Sequence, residues 1–289
     1  MKLPEEQTDS IIIVALNEDI SFGDVTSQIL VSPKLYGKAS LKTKAEGVLA
    51  GCKVAMKVFL KVDPTLKVEL FISEGAKVHS GDIVATISGK AVSILKAERT
   101  ALNFLQRLSG IASETARYVA ATEGCSVTIL DTRKTTPGLR ILEKYAVILG
   151  GGTNHRQHLG DWILIKDTHL ATLRALGMGL RDIIAKAKQN APGRMKIEVE
   201  VTTAQEALDA VDGGADIIML DNMSPDKIRQ VVSLIPDYVQ TEVSGGITME
   251  NIHTVAMTGV DFISIGALTH SPKALDISLE FEPQSIRLI

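Results

Sequence analysis

The stretch Ile197-Glu198-Val199-Glu200-Val201, followed by Ile217-Ile218-Met219-Leu220-Asp221, decides the fold. Both runs are short and rich in β-branched residues, with a helical pattern between them. The same grammar extends outward on both sides. Val127-Thr128-Ile129-Leu130 and Trp162-Ile163-Leu164-Ile165 come before, Tyr238 to Val243 and Phe262-Ile263-Ser264-Ile265 after. Strand–helix–strand alternation predicts parallel strands joined by helical crossovers. Six such strands are read from Ser126 onward, short of the eight of a complete barrel.

The spacing of polar residues at the strand ends then locates a site. Glu200 to Asp221 is 21 residues, Asp221 to Ser244 is 23, and Ser244 to Gly266 is 22. Each interval is one strand-plus-helix unit. Thr132 to Lys166 and Lys166 to Glu200 are 34 each, leaving room for a longer loop or helix. Every strand thus ends in a polar residue or glycine on the same rim, where parallel α/β folds bind ligands. The rim collects Arg133, Lys134, His155, Arg156 and Lys166, with the carboxylates Glu198, Glu200 and Asp221. Taken singly, each cation reads as solvated surface. Recurring at successive strand ends, the set predicts a substrate rich in carboxylates or phosphates.

Glu198 and Glu200 are two apart and so face one side of their strand. With Asp221 they could hold Mg²⁺, a hard cation bound through carboxylates and substrate phosphates. The alternative is a set of ion pairs among the basic residues. Ser244-Gly245-Gly246 and Ile265-Gly266-Ala267 let backbone N–H groups approach a phosphate, as barrels do after their last two strands. His155, His158 and His169 invite a zinc reading, but their spacing matches no tight ligand motif. Cys52 and Cys125 sit in apolar patterns and read as packing residues.

The first ~90 residues have a mixed character that reads as an α+β module with an antiparallel sheet. A short helix is predicted over Ser10 to Glu18, capped by Asp9 or Ser10, with a turn-rich stretch from Glu18 to Thr26. Ala39 to Ala45, Val68 to Ile72 and Ile83 to Ile87 read as strands, and Cys52 to Val62 as a helix. Ala91 to Thr122 reads as a long helical stretch that Gly110 bends or divides. The domains are therefore read as 1–112, an α+β sandwich, and 113–289, an α/β barrel, with the last ~15 residues able to pack back on the first.

Composition excludes several classes. Of 289 residues 45% are apolar, which excludes a disordered chain, and two cysteines exclude a disulfide framework. Thirty-one cations against 34 carboxylates give −3, so nucleic acid is not expected and cationic chemistry must be local. The longest aliphatic run, Ile11 to Leu16, is too short for a membrane span, and the acidic start lacks the pattern of a signal peptide. A cytoplasmic, soluble protein is the expectation. The stretch Glu74 to Lys90 has the turn-and-strand pattern of a lipoyl- or biotinyl-carrier hammerhead, but no Met-Lys or Asp-Lys signature marks a carrier lysine.

The chain resembles the quinolinate phosphoribosyltransferases, the carboxylating nicotinate-nucleotide pyrophosphorylases. The matching segments begin with Glu18-Asp19, Gly23-Asp24-Val25-Thr26, Glu98-Arg99-Thr100-Ala101-Leu102-Asn103 and Leu108 to Ala112. They continue through Asp131 to Arg140, Gly150-Gly151-Gly152, Asn154-His155-Arg156 and Leu164-Ile165-Lys166-Asp167. The last are Glu198 to Val201, Leu220-Asp221-Asn222, Ser244 to Ile247 and Ile265 to Ser271. His158 and Thr168 depart from the family pattern without removing a charge.

The resemblance implies an open-faced sandwich before an incomplete α/β barrel of six or seven strands. It implies transfer of phosphoribosyl from phosphoribosyl pyrophosphate to quinolinate with Mg²⁺, giving nicotinate mononucleotide, pyrophosphate and CO₂ within NAD biosynthesis. Arg99, Arg133, Lys134, His155 and Arg156 would bind quinolinate, and Thr132 would contact substrate. Lys166, Glu200 and Asp221 would serve the sugar pyrophosphate and metal, Lys134 sharing in catalysis, and Ser244 to Gly246 with Ile265 to Ala267 would cradle the 5′-phosphate. A homodimer or higher oligomer with shared sites is implied, Arg99 reaching the neighbouring subunit's site. The nearest alternative is a non-carboxylating paralogue acting on another acid, against which the dianion-sized set Arg133, Lys134, His155 and Arg156 argues.

Overall fold

The structure is a computed structural model that describes residues 3–289. From the N-terminus run α1 (Glu5–Ile20), α2 (Val25–Leu30), β1 (Leu35–Thr43), β2 (Gly47–Val48) and α3 (Cys52–Val62). β3 (Lys67–Leu70), β4 (Lys77–Val78), β5 (Ile83–Lys90) and α4 (Ala91–Ala121) complete this part. β5 pairs antiparallel with β1 and β3, and β2 with β4. α1 is longer than its apolar pattern suggested and starts after Pro4, not at Asp9 or Ser10. α2 lies in the stretch read as turns. Its start is fixed by Asp24, whose side chain accepts from Ser27 N–H at 3.0 Å.

α4 runs unbroken through Gly110. A Cβ at Gly110 would lie 2.1 Å from the Lys273 carbonyl oxygen. The glycine is there for close approach of another segment, not for a break.

The parallel part follows: β6 (Thr128–Leu130), α5 (Arg140–Leu149), β7 (Ile163–Ile165), α6 (Asp167–Arg174) and α7 (Leu180–Asn190). Next come β8 (Ile197–Val201), α8 (Ala204–Gly213), β9 (Ile217–Asp221), α9 (Pro225–Val232), β10 (Gln240–Ser244), α10 (Ile252–Ala256) and β11 (Phe262–Ser264). The six strands form one sheet in the order β6-β11-β10-β9-β8-β7, every pair parallel. Its edges, β6 and β7, do not pair with each other, so the barrel is incomplete. Register places Ser244 opposite both Asp221 and Ser264, and Glu200 opposite Met219, which gathers the strand ends into one rim. Ile129, Val199, Ile218, Val243 and Ile263 are buried, as strands covered on both faces require.

After α11 (Ala267–His270) the chain returns as β12 (Ile277–Phe281) and β13 (Arg287–Leu288), both antiparallel to β1. Two compact units result, and neither is contiguous in sequence. One holds the residues up to Ala116, Thr135–Gly151 and Leu268–Ile289; the other holds Arg117–Lys134 and Gly152–Ala267. The first unit thus takes in α5 and the C-terminal strands as well as the residues before the boundary read at 112. α5 joins the first unit because its polar side chains bond there. Tyr145 donates to Glu74 at 2.6 Å, and Arg107 donates twice to the fully buried Glu143, at 2.9 and 2.7 Å. Among the described residues no helix is long and apolar enough to cross a membrane.

Candidate active site

A cavity of about 540 Å³ opens at the rim of the parallel sheet. Thr132, Arg133, Lys134, His155, Arg156, Lys166, Glu200, Asp221, Ser244, Gly245 and Gly246 all line it, as their strand-end positions predict. Leu164, Met219, Asn222 and Ser264 complete the lining. Arg99, Ile265, Gly266 and Ala267 do not. Arg99 is an exposed residue of α4, in the other unit; Ile265 is buried just past β11.

The cationic wall is built on buried supports. His155 and Arg156 are buried, and the His155 backbone N–H donates to Asp131 Oδ1 at 2.8 Å. Arg156 Nη1 donates to the Trp162 carbonyl at 3.4 Å. Burial first, then the like charge of Arg133, draws the Arg156 guanidinium below its ordinary value; the carboxylates around it oppose that. A cation held partly against its preference gains from an incoming anion.

The same cavity carries the carboxylates Glu200 and Asp221. Glu200 Oε2 accepts the Asp167 N–H at 3.0 Å, at the first turn of α6. Burial raises the Glu200 carboxyl above the usual range, and Asp221 and Asp167 add to this; Lys166 and the Asp167 N–H pull it back. Two carboxylates lining one cavity, the charge of Asp221 adding to the rise at Glu200, are a donor set suited to a hard divalent cation. Glu198, read alongside them, sits elsewhere: it is fully buried and hydrogen-bonded to Trp162 and His155 below the cavity. One two-residue repeat of the strand separates rim from interior on the same face.

Asn222 escaped the sequence reading although it lines the cavity. It is the one non-glycine residue at positive φ among the described residues, at 52°, and its side chain donates to Asp221 Oδ2 at 2.9 Å. A Cβ at Gly245 would fall 2.3 Å from Asn222 Oδ1, so this glycine makes room for the side chain that holds Asp221. Glu242 was missed too. It lies two residues before Ser244 and therefore on the same strand face, a signal identical to that of Glu198 before Glu200.

The three histidines do not converge. His158 Nδ1 lies 2.9 Å from Asp161, His169 Nδ1 accepts the Lys166 N–H at 3.0 Å, and His155 is enclosed by Glu198 and Glu242.

Comparison with known proteins agrees along the whole length. Family models for the quinolinate phosphoribosyl transferase N-terminal and C-terminal domains match residues 24–109 and 111–280. A probable carboxylating nicotinate-nucleotide pyrophosphorylase of Bacillus subtilis is 43% identical over 263 residues, 91% of this chain and 89% of that protein. Decarboxylating quinolinate phosphoribosyltransferase 1 of Nicotiana glauca is 40% identical, covering 97% of this chain and 84% of its own. The crystal structure of NadC from Streptococcus pyogenes superposes with a TM-score of 0.92 at 41% identity, covering 100% of this chain and 99% of that one. The cavity and its strand-end cations thus stand on a scaffold shared over nearly every residue, and the chain belongs to the quinolinate phosphoribosyltransferase family.

Proposed function

We propose that the rim cavity joins quinolinate to phosphoribosyl pyrophosphate, releasing pyrophosphate and CO₂ and leaving nicotinate mononucleotide for NAD biosynthesis. The observation that carries this is the single cavity lined by Arg133, Lys134, His155, Arg156 and Lys166 on the one hand and Glu200 and Asp221 on the other. The first four face a planar dianion, where guanidinium forks and an ammonium meet two carboxylates. Lys166 and the Ser244–Gly246 turn suit the sugar phosphates, whose oxygens accept from backbone N–H groups. Glu200 and Asp221 would hold Mg²⁺, which supplies charge neutralisation of the leaving pyrophosphate. Their carboxylates also face the sugar carbon as positive charge develops there. No side-chain nucleophile is needed, because the pyridine nitrogen attacks. The nitrogen's new positive charge then stabilises the electron pair left when CO₂ departs.

The direct test is release of labelled CO₂ with phosphoribosyl pyrophosphate across pyridine mono- and dicarboxylates. Quinolinate alone should release label, without ATP. Equal turnover of another acid would favour a paralogous transferase.

The same reading places the enzyme in the cytoplasm as a homodimer with shared sites, Arg99 serving the neighbouring subunit. Arg99→Ala and Lys134→Ala should each be nearly inactive alone. Mixed with subunit exchange they should regain roughly a quarter of wild-type activity, since about half the dimers are mixed and each has one intact site. No recovery, with exchange confirmed by mass spectrometry, would remove Arg99 from any shared site.

A further inference from the structure

Lys166 is a cavity cation standing where a helix ordinarily has its cap. It follows β7 directly and is the N-cap of α6, with extended backbone at φ −96° and ψ 164°. Its carbonyl accepts the first helical bond, from the Leu170 N–H at 2.9 Å. Residues favoured at this position carry a side-chain oxygen that accepts an N–H of the first turn. Lysine has three donors and no acceptor, so Lys166 cannot cap its own helix, and its side chain makes no capping bond.

Acceptors for this helix start come from two other side chains. The Lys166 N–H donates to His169 Nδ1 at 3.0 Å, and the Asp167 N–H donates to Glu200 Oε2 at 3.0 Å. His169 is the third residue of α6. From that position glutamate or glutamine reaches back to the N-cap N–H in a capping box, and here the imidazole does so. A backbone N–H only donates, so Nδ1 carries the lone pair and the imidazole proton sits on Nε2.

The two side chains have different surroundings. Lys166 lines the rim cavity and is half-buried, whereas His169 is exposed and outside the lining. A lysine ammonium rides on a flexible four-carbon stem, and a helix start without acceptors frays. Holding the Lys166 N–H fixes the backbone from which that stem departs and narrows the positions its ammonium visits.

We propose that His169 is a positioning residue for Lys166, its Nδ1 holding the backbone from which the ammonium reaches the phosphates of phosphoribosyl pyrophosphate. The proposal rests on that substrate occupying the rim cavity at Lys166.

The test compares His169→Ala, His169→Leu and His169→Gln in steady-state kinetics, each substrate varied in turn. Alanine and leucine remove the acceptor; glutamine keeps one within reach of the same N–H. The first two should raise KM for phosphoribosyl pyrophosphate about tenfold, the effect of one lost cap. Turnover, and quinolinate binding by calorimetry, should stay within about twofold of the native protein. His169→Gln should stay within about twofold throughout. All three replacements are better helix formers than histidine, so a loss confined to alanine and leucine does not arise from helix propensity. In a Lys166→Ala background, His169→Ala should raise this KM no further, because the effect passes through Lys166. Amide exchange reads the bond directly: Lys166 N–H should exchange about tenfold faster in His169→Ala and at the native rate in His169→Gln. Native kinetics or native exchange with alanine, equal losses for both substrates, a glutamine variant as impaired as alanine, or additive losses in the double variant would each overturn the positioning role. Native kinetics for Lys166→Ala alone would sink the assignment of Lys166 to the sugar pyrophosphate, and the role built on it.

Discussion

Glu200→Gln and Asp221→Asn should each lower turnover by about 10²–10³ while the protein stays folded. Both side chains line the cavity, at the ends of adjacent parallel strands. Each substitution keeps the shape and removes one negative charge from the wall assigned to Mg²⁺ and the sugar. Asp221 is also held by Asn222, so its asparagine variant loses a charge-assisted contact in addition. The measurement is kcat at saturating quinolinate and donor, repeated at limiting Mg²⁺, with Trp162 fluorescence as the check on folding. Variants with wild-type turnover at limiting Mg²⁺ would remove these residues from the metal role.

The largest stability effect is expected at Arg107, outside the cavity. Its guanidinium donates to Glu143, to Thr136 Oγ1 at 2.9 Å and to the Thr269 carbonyl at 2.8 Å. Glu143 also accepts the Thr136 N–H at 3.0 Å and has no exposure to solvent. Arg107→Ala strands this carboxylate in the interior, and about 3–5 kcal/mol of stability should be lost. Urea unfolding should show a lower midpoint with an unchanged slope. Adding Glu143→Gln removes the stranded charge and should recover part of the loss, a coupling that a double-mutant cycle measures. A loss below about 1 kcal/mol for Arg107→Ala would mean that solvent reaches the pair and that it does not anchor α5.

What the sequence determined by itself follows from local rules. Short runs of β-branched residues between helical patterns set all six parallel strands, because strands covered on both faces are apolar along most of their length. Their polar ends, spaced one strand-plus-helix unit apart, named eleven of the residues now seen lining the cavity. Parallel strands in register must bring their C-terminal ends to one rim, so spacing alone carried that inference. α3 was legible to the residue, with its apolar face repeating through Cys52–Val62.

Tertiary structure alone decided the rest. Gly110 reads locally as a helix breaker, yet it lies in an unbroken helix because the Lys273 backbone packs against it from 163 residues away. α5 follows β6 in the chain but belongs to the first unit, since Arg107 and Glu74 hold Glu143 and Tyr145. Glu198 and Glu200 share a face and a charge, but only depth in the sheet separates a buried hydrogen-bond acceptor from a cavity carboxylate. Periodicity fixes which way a side chain points; how far from water it ends depends on neighbours brought together from distant parts of the chain.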